Sequence, residues 1–183
     1  GYKMSKHLKS APKSLLQGKI IAYPTESTWG LGVDARNELA VEALNKLKKR
    51  PHNKSFIILI DKLERVQVWV DWSKMPISID PMQDWPGPIT KVFPVSSACP
   101  EWLSYDKTVA IRISAYTITQ DLCAHFGRPL ISTSANLSGS GPLRTQQEIM
   151  DHFGSAIDYC IEGEPGGIPP TPIINLLTGK KIR

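Results

Sequence analysis

A run of small hydrogen-bonding residues in the last third of the chain is the part of the sequence best suited to hold a polar ligand. A short apolar stretch that begins at Pro129 ends in Ser132, Thr133, Ser134, Asn136 and Ser138, followed by Gly139 and Gly141. Hydroxyl and amide groups, together with backbone N–H groups at a turn, can surround a phosphate or another polar ligand. The same residues could instead form a turn that only joins two elements, and this stretch alone leaves both interpretations open.

Cationic side chains could supply the charge that an anionic ligand needs. Lys48 and Arg50 can neutralise phosphates, or they could simply stabilise the C-terminal end of a helix, where the helix dipole favours cations. Arg112 lies inside an apolar strand, where a charge is costly unless it has a partner. We therefore predict that Arg112 binds a carboxylate or a phosphate, with an internal salt bridge as the alternative. Such a site would catalyse attack on an activated phosphate mainly by alignment and charge stabilisation.

Strands that alternate with helices must position these residues. Besides the run that begins at Pro129, apolar and β-branched runs predict strands at 19–23, 56–60, 89–93, 108–113, 156–161 and 173–177. The second of these contains no polar residue, which places it at the centre of the sheet. A polar loop with two glycines, residues 24–32, follows the first strand. In α/β sheets, ligands bind at such strand ends.

Helical periodicity and capping residues predict the helices. A first helix is expected over 5–18, started or interrupted by Pro12, and a second follows the N-cap Asn37. An irregular helix is expected within 61–85, and a short helix over 120–126. A capping box at Thr145–Glu148 predicts the start of the last helix. The residues expected to face inward are Leu8, Leu15, Leu16, Ala40, Ala43, Leu44, Leu47, Leu63, Val66, Val68, Trp69, Trp72, Ile149 and Phe153. This alternation predicts an α/β or mixed-sheet domain.

Composition narrows the class of protein. A chain of 183 residues, 41% of them hydrophobic, predicts a single domain over 1–183 with a basic N-terminal segment at about 1–18. No apolar run approaches the ~20 residues of a membrane span, and no apolar stretch near the start would make a signal peptide. Cys99, Cys123 and Cys160 are widely spaced, which predicts reduced thiols in a cytoplasmic protein rather than a disulfide framework. Neither they nor the four histidines have the spacing of a metal site.

The net charge of +5 is unevenly distributed. Five lysines precede the first acidic residue, Glu26, a second basic cluster occupies 46–54, and the chain ends in Lys180-Lys181-Ile182-Arg183. A basic face attracts phosphate, whether in RNA or in a nucleotide. Lysines are also common on a solvated surface, so the charge does not by itself separate these interpretations.

The sequence lacks the motifs of several common nucleotide and hydrolase sites. There is no Gly-x-x-x-x-Gly-Lys-Ser/Thr loop and no Gly-x-Gly-x-x-Gly after a strand, which excludes a P-loop site and leaves a dinucleotide fold unsupported. There is also no nucleophile elbow and no credible Ser-His-Asp set. What remains is a set of positioning groups without a protein nucleophile.

Five motifs, in order and at matching spacing, resemble the Sua5/YciO/YrdC family. They are Tyr-Pro-Thr-Glu-Ser-Thr-Trp-Gly-Leu-Gly at 23–32, Lys48-Lys-Arg-Pro51, Pro86-Gly-Pro-Ile-Thr90, Val109-Ala-Ile-Arg112 and Ser132-Thr-Ser-Ala-Asn-Leu-Ser-Gly139. The resemblance covers the chain from about Lys19 to Arg183. It implies a twisted, mixed α/β sheet flanked by helices, with a large, positively charged concave cavity.

The resemblance also implies an activity. Members of this family form threonylcarbamoyl-adenylate and pyrophosphate from L-threonine, bicarbonate and ATP, with Mg²⁺ carried by the ATP. The product feeds the N6-threonylcarbamoyladenosine modification of tRNAs that read codons beginning with A. The implied partners are therefore tRNA or RNA and the tRNA threonylcarbamoyl transferase complex, with no membrane.

Individual residues acquire roles only through this resemblance. The threonine side of the site would hold Thr25, Arg112 and Ser132. The ATP side would hold Lys48, Arg50, Thr108, Ser134, Asn136, Arg144 and Thr171. Some relatives have a histidine that touches threonine, and its place here falls near Leu59 or Ile60, so that contact is absent. In relatives with a long C-terminal domain, that domain would cover the cavity. This sequence shows no such domain, so its site is expected to be more open.

Two other classes of function remain open. A non-catalytic RNA-binding or ribosome maturation factor would use the basic cavity and termini, although single-stranded RNA favours exposed aromatic side chains as stacking platforms. A hydrolase or carbamoyl-processing relative could share the fold and act on another small substrate, because fold does not fix function.

Overall fold

Eight strands and four helices make up the regular structure of the described residues. The structure is a computed structural model, and it describes residues 8, 10–49, 56–136 and 141–182. The strands are β1 (Ile20–Pro24), β2 (Trp29–Asp34), β3 (Ile57–Leu59), β4 (Thr90–Pro94), β5 (Thr108–Arg112), β6 (Leu130–Ser134), β7 (Ile157–Cys160) and β8 (Ile173–Asn175). The helices are α1 (Ala11–Leu16), α2 (Glu38–Lys48), α3 (Thr117–Phe126) and α4 (Gln146–Phe153).

All eight strands belong to one mixed sheet, in the order β7-β1-β2-β6-β3-β5-β4-β8. The β1–β2, β2–β6, β3–β6 and β4–β5 pairs are antiparallel, and the β1–β7, β3–β5 and β4–β8 pairs are parallel. The predicted mixed α/β fold is confirmed. The apolar 56–60 run, which contains β3, lies among the central strands as expected.

Helices cover one face of the sheet over only part of its width. Residues in register on neighbouring strands project to the same face. On this face α1 and α3 pack against Ile21, Tyr23, Leu59 and Leu130, which form one buried apolar cluster with them. Farther across the same face, a row of paired residues runs from β6 to β8 and lines a cavity instead: Ser132, Ile57, Ala110, Val92 and Asn175.

The opposite face of the sheet is covered by α2, α4 and a series of short 3₁₀ turns. Leu44 of α2 and Ile149 of α4 belong to the larger buried cluster, together with Leu31, Ile58 and Ile131 of the sheet. Both helices pack on this face of the sheet, and the cavity lies on the opposite face.

Capping residues set the ends of α2 and α4 as predicted. The Asn37 side chain accepts a hydrogen bond from the backbone N–H of Ala40 at 3.1 Å. The Thr145 hydroxyl accepts one from the N–H of Glu148 at 3.1 Å. The Glu148 carboxylate, however, accepts from the N–H of Arg144, one residue before the position that a regular capping box uses.

The loop predicted over 24–32 is wrong from Trp29 onward, where β2 begins. Gly30 and Gly32 suggested a loop because glycine is rare inside strands. Here they make room for a side chain: a Cβ added at Gly32 would lie 2.8 Å from Cε1 of Tyr23 and 2.7 Å from Cδ1 of Leu130. Strand glycines of this kind mark the close approach of a bulky neighbour rather than a turn.

Two of the predicted helices are also corrected. The first helix was expected over 5–18, but α1 begins at Ala11 with Pro12 in its first turn, where the missing N–H costs nothing. Leu8 and Leu15 are buried as expected, whereas Leu16 is exposed. Residues 5–7 and 9 lie outside the described residues.

The helix predicted within 61–85 is replaced by three 3₁₀ turns, at Leu63–Arg65, Gln67–Trp69 and Trp72–Lys74. The backbone of residues 69–71 pairs with the end of β4 and the residues after it instead of continuing a helix. The N–H of Asp71 donates to the carbonyl of Pro94, and that of Ser96 donates to the carbonyl of Trp69. Val68, predicted to face inward, is exposed as a result. In α2, Ala43 is likewise exposed, and Val41 takes the buried position.

The described helices include none that combines the length and the apolar composition of a membrane span. The three cysteines carry free thiols, with Cys99 and Cys123 buried and Cys160 half-buried. Burial raises the pKa of the Cys99 thiol to about 11.

Candidate functional site

A cavity of about 770 Å³ lies over the part of the sheet that α1 and α3 leave uncovered. Eight of the residues assigned to the site from the sequence line it: Thr25, Lys48, Thr108, Arg112, Ser132, Ser134, Asn136 and Thr171. They come from β5, β6, the end of α2 and three loops, which follow β1, follow β6 and precede β8. The fold therefore brings most of the predicted positioning groups to one hollow.

Two of the assigned residues are not placed in this cavity. The Arg144 side chain is exposed and is not among the lining residues, although its backbone carbonyl accepts a hydrogen bond at 3.1 Å from the indole of Trp29, which does line the cavity. Arg50 lies outside the described residues, and so do Ser138 and Gly139 of the polar run. Their roles stay predictions.

Lys48 connects the end of α2 to the polar turn after β6. Its ammonium donates to the backbone carbonyl of Ser134 at 2.6 Å, to the side-chain oxygen of Asn136 at 2.9 Å and to the backbone carbonyl of Asn136. The Ser134 hydroxyl also donates to the side-chain oxygen of Asn136, at 2.8 Å. These contacts fix a cation, a hydroxyl and an amide side by side at the cavity wall, and they show that Lys48 does more than stabilise its own helix.

Arg112 lies at the centre of a buried polar network. Its Nε atom is 3.3 Å from Oε1 of Glu26, and its Nη1 donates to the hydroxyl of Thr171 at 2.9 Å. The hydroxyl of Ser114 donates to the other carboxylate oxygen of Glu26 at 3.0 Å. The internal ion pair, which was the alternative weighed from the sequence, is present. Arg112 also lines the cavity, and its binding of a carboxylate or a phosphate stays a prediction.

The loop that follows β1 is held rigid by the hydroxyl of Thr25. This hydroxyl donates to the carbonyl of Thr28 at 2.7 Å and accepts from the N–H groups of Ser27 and Thr28 at 3.1 and 3.2 Å. Its oxygen is thus committed to the loop, so Thr25 contributes to the site mainly by fixing the shape of the wall.

The Gly/Pro segment that contains residues 166–171 lies against this loop and forms another wall. The N–H of Gly166 donates to the carbonyl of Thr25 at 2.8 Å, and the N–H of Ile168 donates to that of Glu26 at 3.1 Å. A Cβ added at Gly166 would lie 2.4 Å from the Glu26 carbonyl oxygen, so only glycine permits this approach. The contact brings Thr171 within reach of Arg112.

Tyr23 reaches the cavity floor from beneath. Its side chain is fully buried, and its hydroxyl donates to Oγ of Ser132 at 2.5 Å. Burial raises the pKa of the Tyr23 hydroxyl well above its ordinary value. The phenol is therefore a neutral hydrogen-bond donor throughout the physiological pH range.

Sequence reasoning missed several residues of the site. Glu26 was not connected with Arg112, although a buried arginine called for an acidic partner and Glu26 follows Thr25 directly. Lys49, Tyr105, Asp106 and Asn175 line the cavity without an earlier assignment, and no motif in the sequence distinguishes them. Of the four charged residues that line the cavity in the described part of the chain, three are cationic and one, Asp106, is anionic.

This arrangement of groups is suited to binding oxyanions. Hydroxyls, amides and cations donate hydrogen bonds to phosphate and carboxylate oxygens. Within residues 8, 10–49, 56–136 and 141–182, no three His, Cys, Asp or Glu side chains are grouped closely enough to hold a metal ion. In that same part of the chain, the cavity lining includes neither histidine nor cysteine. The chemistry that such a site can support is alignment of substrates that carry phosphate or carboxylate groups, and stabilisation of their negative charge.

Comparison with known proteins gives consistent matches over nearly the whole chain. The model of the Sua5/YciO/YrdC family, which carries the description "Telomere recombination", matches residues 13–183. A protein of Xanthomonas campestris pv. campestris named threonylcarbamoyl-AMP synthase is 39% identical over 180 residues, which are 96% of each chain. A protein of Yersinia enterocolitica with the same name is 41% identical over 180 residues, covering 96% of this chain and 94% of the other.

Among solved structures, the fold is similar to that of P. abyssi Sua5 complexed with L-threonine. The TM-score is 0.80 and the sequence identity 30%, over 92% of this chain. The match spans about half the length of that Sua5 chain, 50%.

Proposed function

The chain belongs to the Sua5/YciO/YrdC family, and from this premise we propose that it is an adenylate-forming enzyme, a nucleotidyltransferase that makes threonylcarbamoyl-AMP and pyrophosphate from L-threonine, bicarbonate and ATP. Relatives of the same length carry the name of this activity at about 40% identity. The observation that carries the proposal is the convergence of Lys48, Ser134, Asn136 and Arg112 on one cavity. A triphosphate and the carboxylate of an amino acid both accept hydrogen bonds from such donors.

The ATP side of the site is assigned to the wall formed by the end of α2 and the turn after β6. Lys48, Ser134 and Asn136 would bind phosphate oxygens there, and Arg50 would add a second cation. The ammonium of Lys48 donates to three oxygens of the turn and has three N–H donors in all. Direct binding of a phosphate oxygen would therefore replace one of these hydrogen bonds, while the positive charge stays beside the phosphates. Thr108, Arg144 and Thr171 are assigned to the rest of the nucleotide. Mg²⁺ would enter with ATP, bound by phosphate oxygens.

The threonine side is assigned to the floor and the opposite wall. Arg112 would bind the carboxylate of threonine, with Ser132 beside it and Thr25 shaping the wall. The ion pair with Glu26 holds the Nε edge of Arg112, and the bond to Thr171 holds Nη1. The planar guanidinium presents paired N–H donors, which suit bidentate binding of a carboxylate.

The reaction needs no protein nucleophile. The neutral amine of threonine forms an N–C bond with the carbon of bicarbonate, a C–O bond of bicarbonate breaks, and water leaves. An oxygen of the resulting carbamate then attacks the α-phosphorus of ATP. The new P–O bond forms as the bond between the α-phosphorus and the bridging oxygen breaks, and pyrophosphate leaves. Cationic and hydroxyl groups around the phosphates stabilise the charge that develops in this step.

The product would be used in the tRNA modification named in the sequence analysis. We propose that the chain works in the cytoplasm with the tRNA threonylcarbamoyl transferase complex, and that its basic surface gives it some affinity for tRNA. These partners follow from the nature of the product, which a second enzyme must transfer to tRNA.

Pyrophosphate release tests the proposal. The purified protein should release pyrophosphate from ATP when L-threonine and bicarbonate are both present, and omission of either, or replacement of threonine by serine, should reduce release sharply. Release that does not depend on threonine would contradict the proposal. Tight, salt-sensitive RNA binding without any release would instead favour the non-catalytic RNA-binding alternative.

A further inference from the structure

We propose that Tyr23 is a positioning residue that fixes the Ser132 hydroxyl as a hydrogen-bond donor toward an anionic oxygen of the amino-acid substrate. The identity of that substrate rests on the proposed function. The orientation of the hydroxyl rests on the geometry alone, which concerns three neighbouring strands, β1, β2 and β6.

The first step is the commitment of the tyrosine proton. The ring of Tyr23 lies in the apolar cluster beneath α1 and α3, and its side chain is fully buried. A phenol has one proton to donate, and Tyr23 donates it to Oγ of Ser132 at 2.5 Å. In the described part of the chain the Tyr23 hydroxyl has no other hydrogen-bond partner. Burial also keeps the phenol protonated.

The second step concerns the proton of Ser132. A serine hydroxyl that accepts a hydrogen bond still carries its own proton, which must point to another acceptor. Within the described residues no protein acceptor receives it. Ser132 lines the cavity, and the Tyr23 hydroxyl occupies its buried side. The proton therefore points into the cavity, and the matching ligand atom is an acceptor, such as a carboxylate oxygen, rather than an ammonium group.

The third step explains the two glycines of β2. Tyr23 lies on β1 and Ser132 on β6, so the tyrosine ring must cross β2 to reach its acceptor. In the strand pairing, Gly30 lies opposite Tyr23, and Gly32 lies opposite Ser132. A Cβ at Gly30 would lie 3.0 Å from Cε2 of Tyr23, and one at Gly32 would lie 2.8 Å from Cε1. The glycines thus form a channel for the ring, at the cost of packing that strand side chains normally provide.

The hydrogen bond from Tyr23 to Ser132 should affect the binding of threonine more than the chemical step. An oriented donor loses little freedom when the ligand arrives, whereas a freely rotating hydroxyl must be ordered at that moment. Loss of the tyrosine hydroxyl should therefore raise the KM for threonine while leaving the KM for ATP nearly unchanged.

Steady-state kinetics of Tyr23→Phe, Ser132→Ala and the double variant test the proposal. Tyr23→Phe keeps the ring and removes only the hydroxyl, and it should raise the threonine KM about tenfold. Ser132→Ala should raise it at least as much, and adding Tyr23→Phe to Ser132→Ala should raise it no further, because the two residues act through one hydroxyl. Tyr159→Phe, a tyrosine of β7 that does not line the cavity, is the matched control and should leave both KM values unchanged.

Two results would overturn the proposal. One is a threonine KM within twofold of the wild type for Tyr23→Phe while Ser132→Ala raises it. The other is an additive effect in the double variant, which would mean that Tyr23 acts independently of Ser132. Thermal melting of each variant identifies any loss of folding, and calorimetric titration with L-threonine gives the same comparison without turnover. Failure of the proposed function would appear separately, as the absence of adenylate formation by the wild-type protein.

Discussion

The carboxylate of Glu26 lies 3.3 Å from Nε of Arg112, and each of these side chains is only 10% exposed. The pair joins the loop after β1 to β5, and the hydrogen bond from Arg112 to Thr171 extends the connection to the Gly/Pro segment. Three segments that are far apart in sequence thus meet at one guanidinium. This network gives the cavity a fixed floor on the side assigned to threonine.

Removal of the Glu26 charge should destabilise the protein strongly. Glu26→Gln leaves the Arg112 guanidinium buried without its anionic partner, and breaking a buried pair in this way costs about 3 kcal/mol or more. We expect that loss in the free energy of unfolding measured by urea denaturation, together with weaker threonine binding.

The matched control for this experiment is Asp61→Asn. Asp61 and Arg65 also form an ion pair, at 2.9 Å, but the Arg65 side chain is 28% exposed. A pair that is this accessible contributes less, about 1 kcal/mol at most. Equal losses for Glu26→Gln and Asp61→Asn would show that burial does not give the Glu26–Arg112 pair a special role.

The Arg112 network also illustrates how far the sequence could predict the site. A charge inside an apolar strand required a partner, and the partner exists. Its identity could not be predicted, because Glu26 and Arg112 are brought together only by the order of the strands in the sheet. The same holds for Lys48 and Asn136. Their residue types suggested a common ligand, but their mutual contact depends on where the fold places the end of α2 relative to the turn after β6.

The strand β2 shows where local rules fail for a physical reason. Apolar runs predicted the other seven strands approximately, because each contains bulky or β-branched residues that fit a buried sheet. Gly30 and Gly32 gave β2 the local signature of a loop. These glycines leave room for the ring of Tyr23, which lies on the neighbouring strand, and a local sequence pattern cannot show that contact.

Removal of the Lys48 ammonium should abolish most of the turnover. Lys48→Ala deletes the donor that contacts Ser134 and Asn136, so the turn after β6 loses its fixed shape as well as its charge. We expect at least a hundredfold decrease in kcat/KM for ATP, measured by pyrophosphate release. Lys46→Ala removes a cation from the same helix on its exposed side and should retain activity. Comparable activity of the two variants would contradict the assignment of Lys48 to the phosphates.

A side chain at Gly166 should disturb the wall formed by the Gly/Pro segment. In Gly166→Ala, the Cβ would lie 2.4 Å from the backbone oxygen of Glu26, so the segment must move away from the loop after β1. We expect a raised KM for threonine and a loss of stability of about 1–3 kcal/mol. Gly141→Ala, where the described residues beyond its chain neighbours place no atom within 4 Å of the added Cβ, should change neither quantity. A stable Gly166→Ala variant with unchanged KM would mean that the segment is not part of the site.

Cys99 should make the protein less stable at alkaline pH. Burial raises the pKa of its thiol to about 11 in the folded state, from an ordinary value of 9.0. The folded state therefore holds its proton more tightly than the unfolded chain, and this contribution is complete below pH 9 and is lost as the pH rises to about 11. The stability difference between the wild type and Cys99→Ala should accordingly shrink from pH 7.5 to pH ~10.5. A difference that stays constant over this range would exclude the thiol as the cause.

The most direct test of the central claim is the transfer of carbon from bicarbonate into an adenylate. The protein is incubated with ATP, L-threonine and ¹³C-bicarbonate, and the products are analysed at once by mass spectrometry and ¹³C NMR. We predict a labelled threonylcarbamoyl-AMP in amounts equal to the pyrophosphate released, and its loss in Lys48→Ala. Formation of pyrophosphate with unlabelled AMP, or of no adenylate by a folded wild-type protein, would contradict the account.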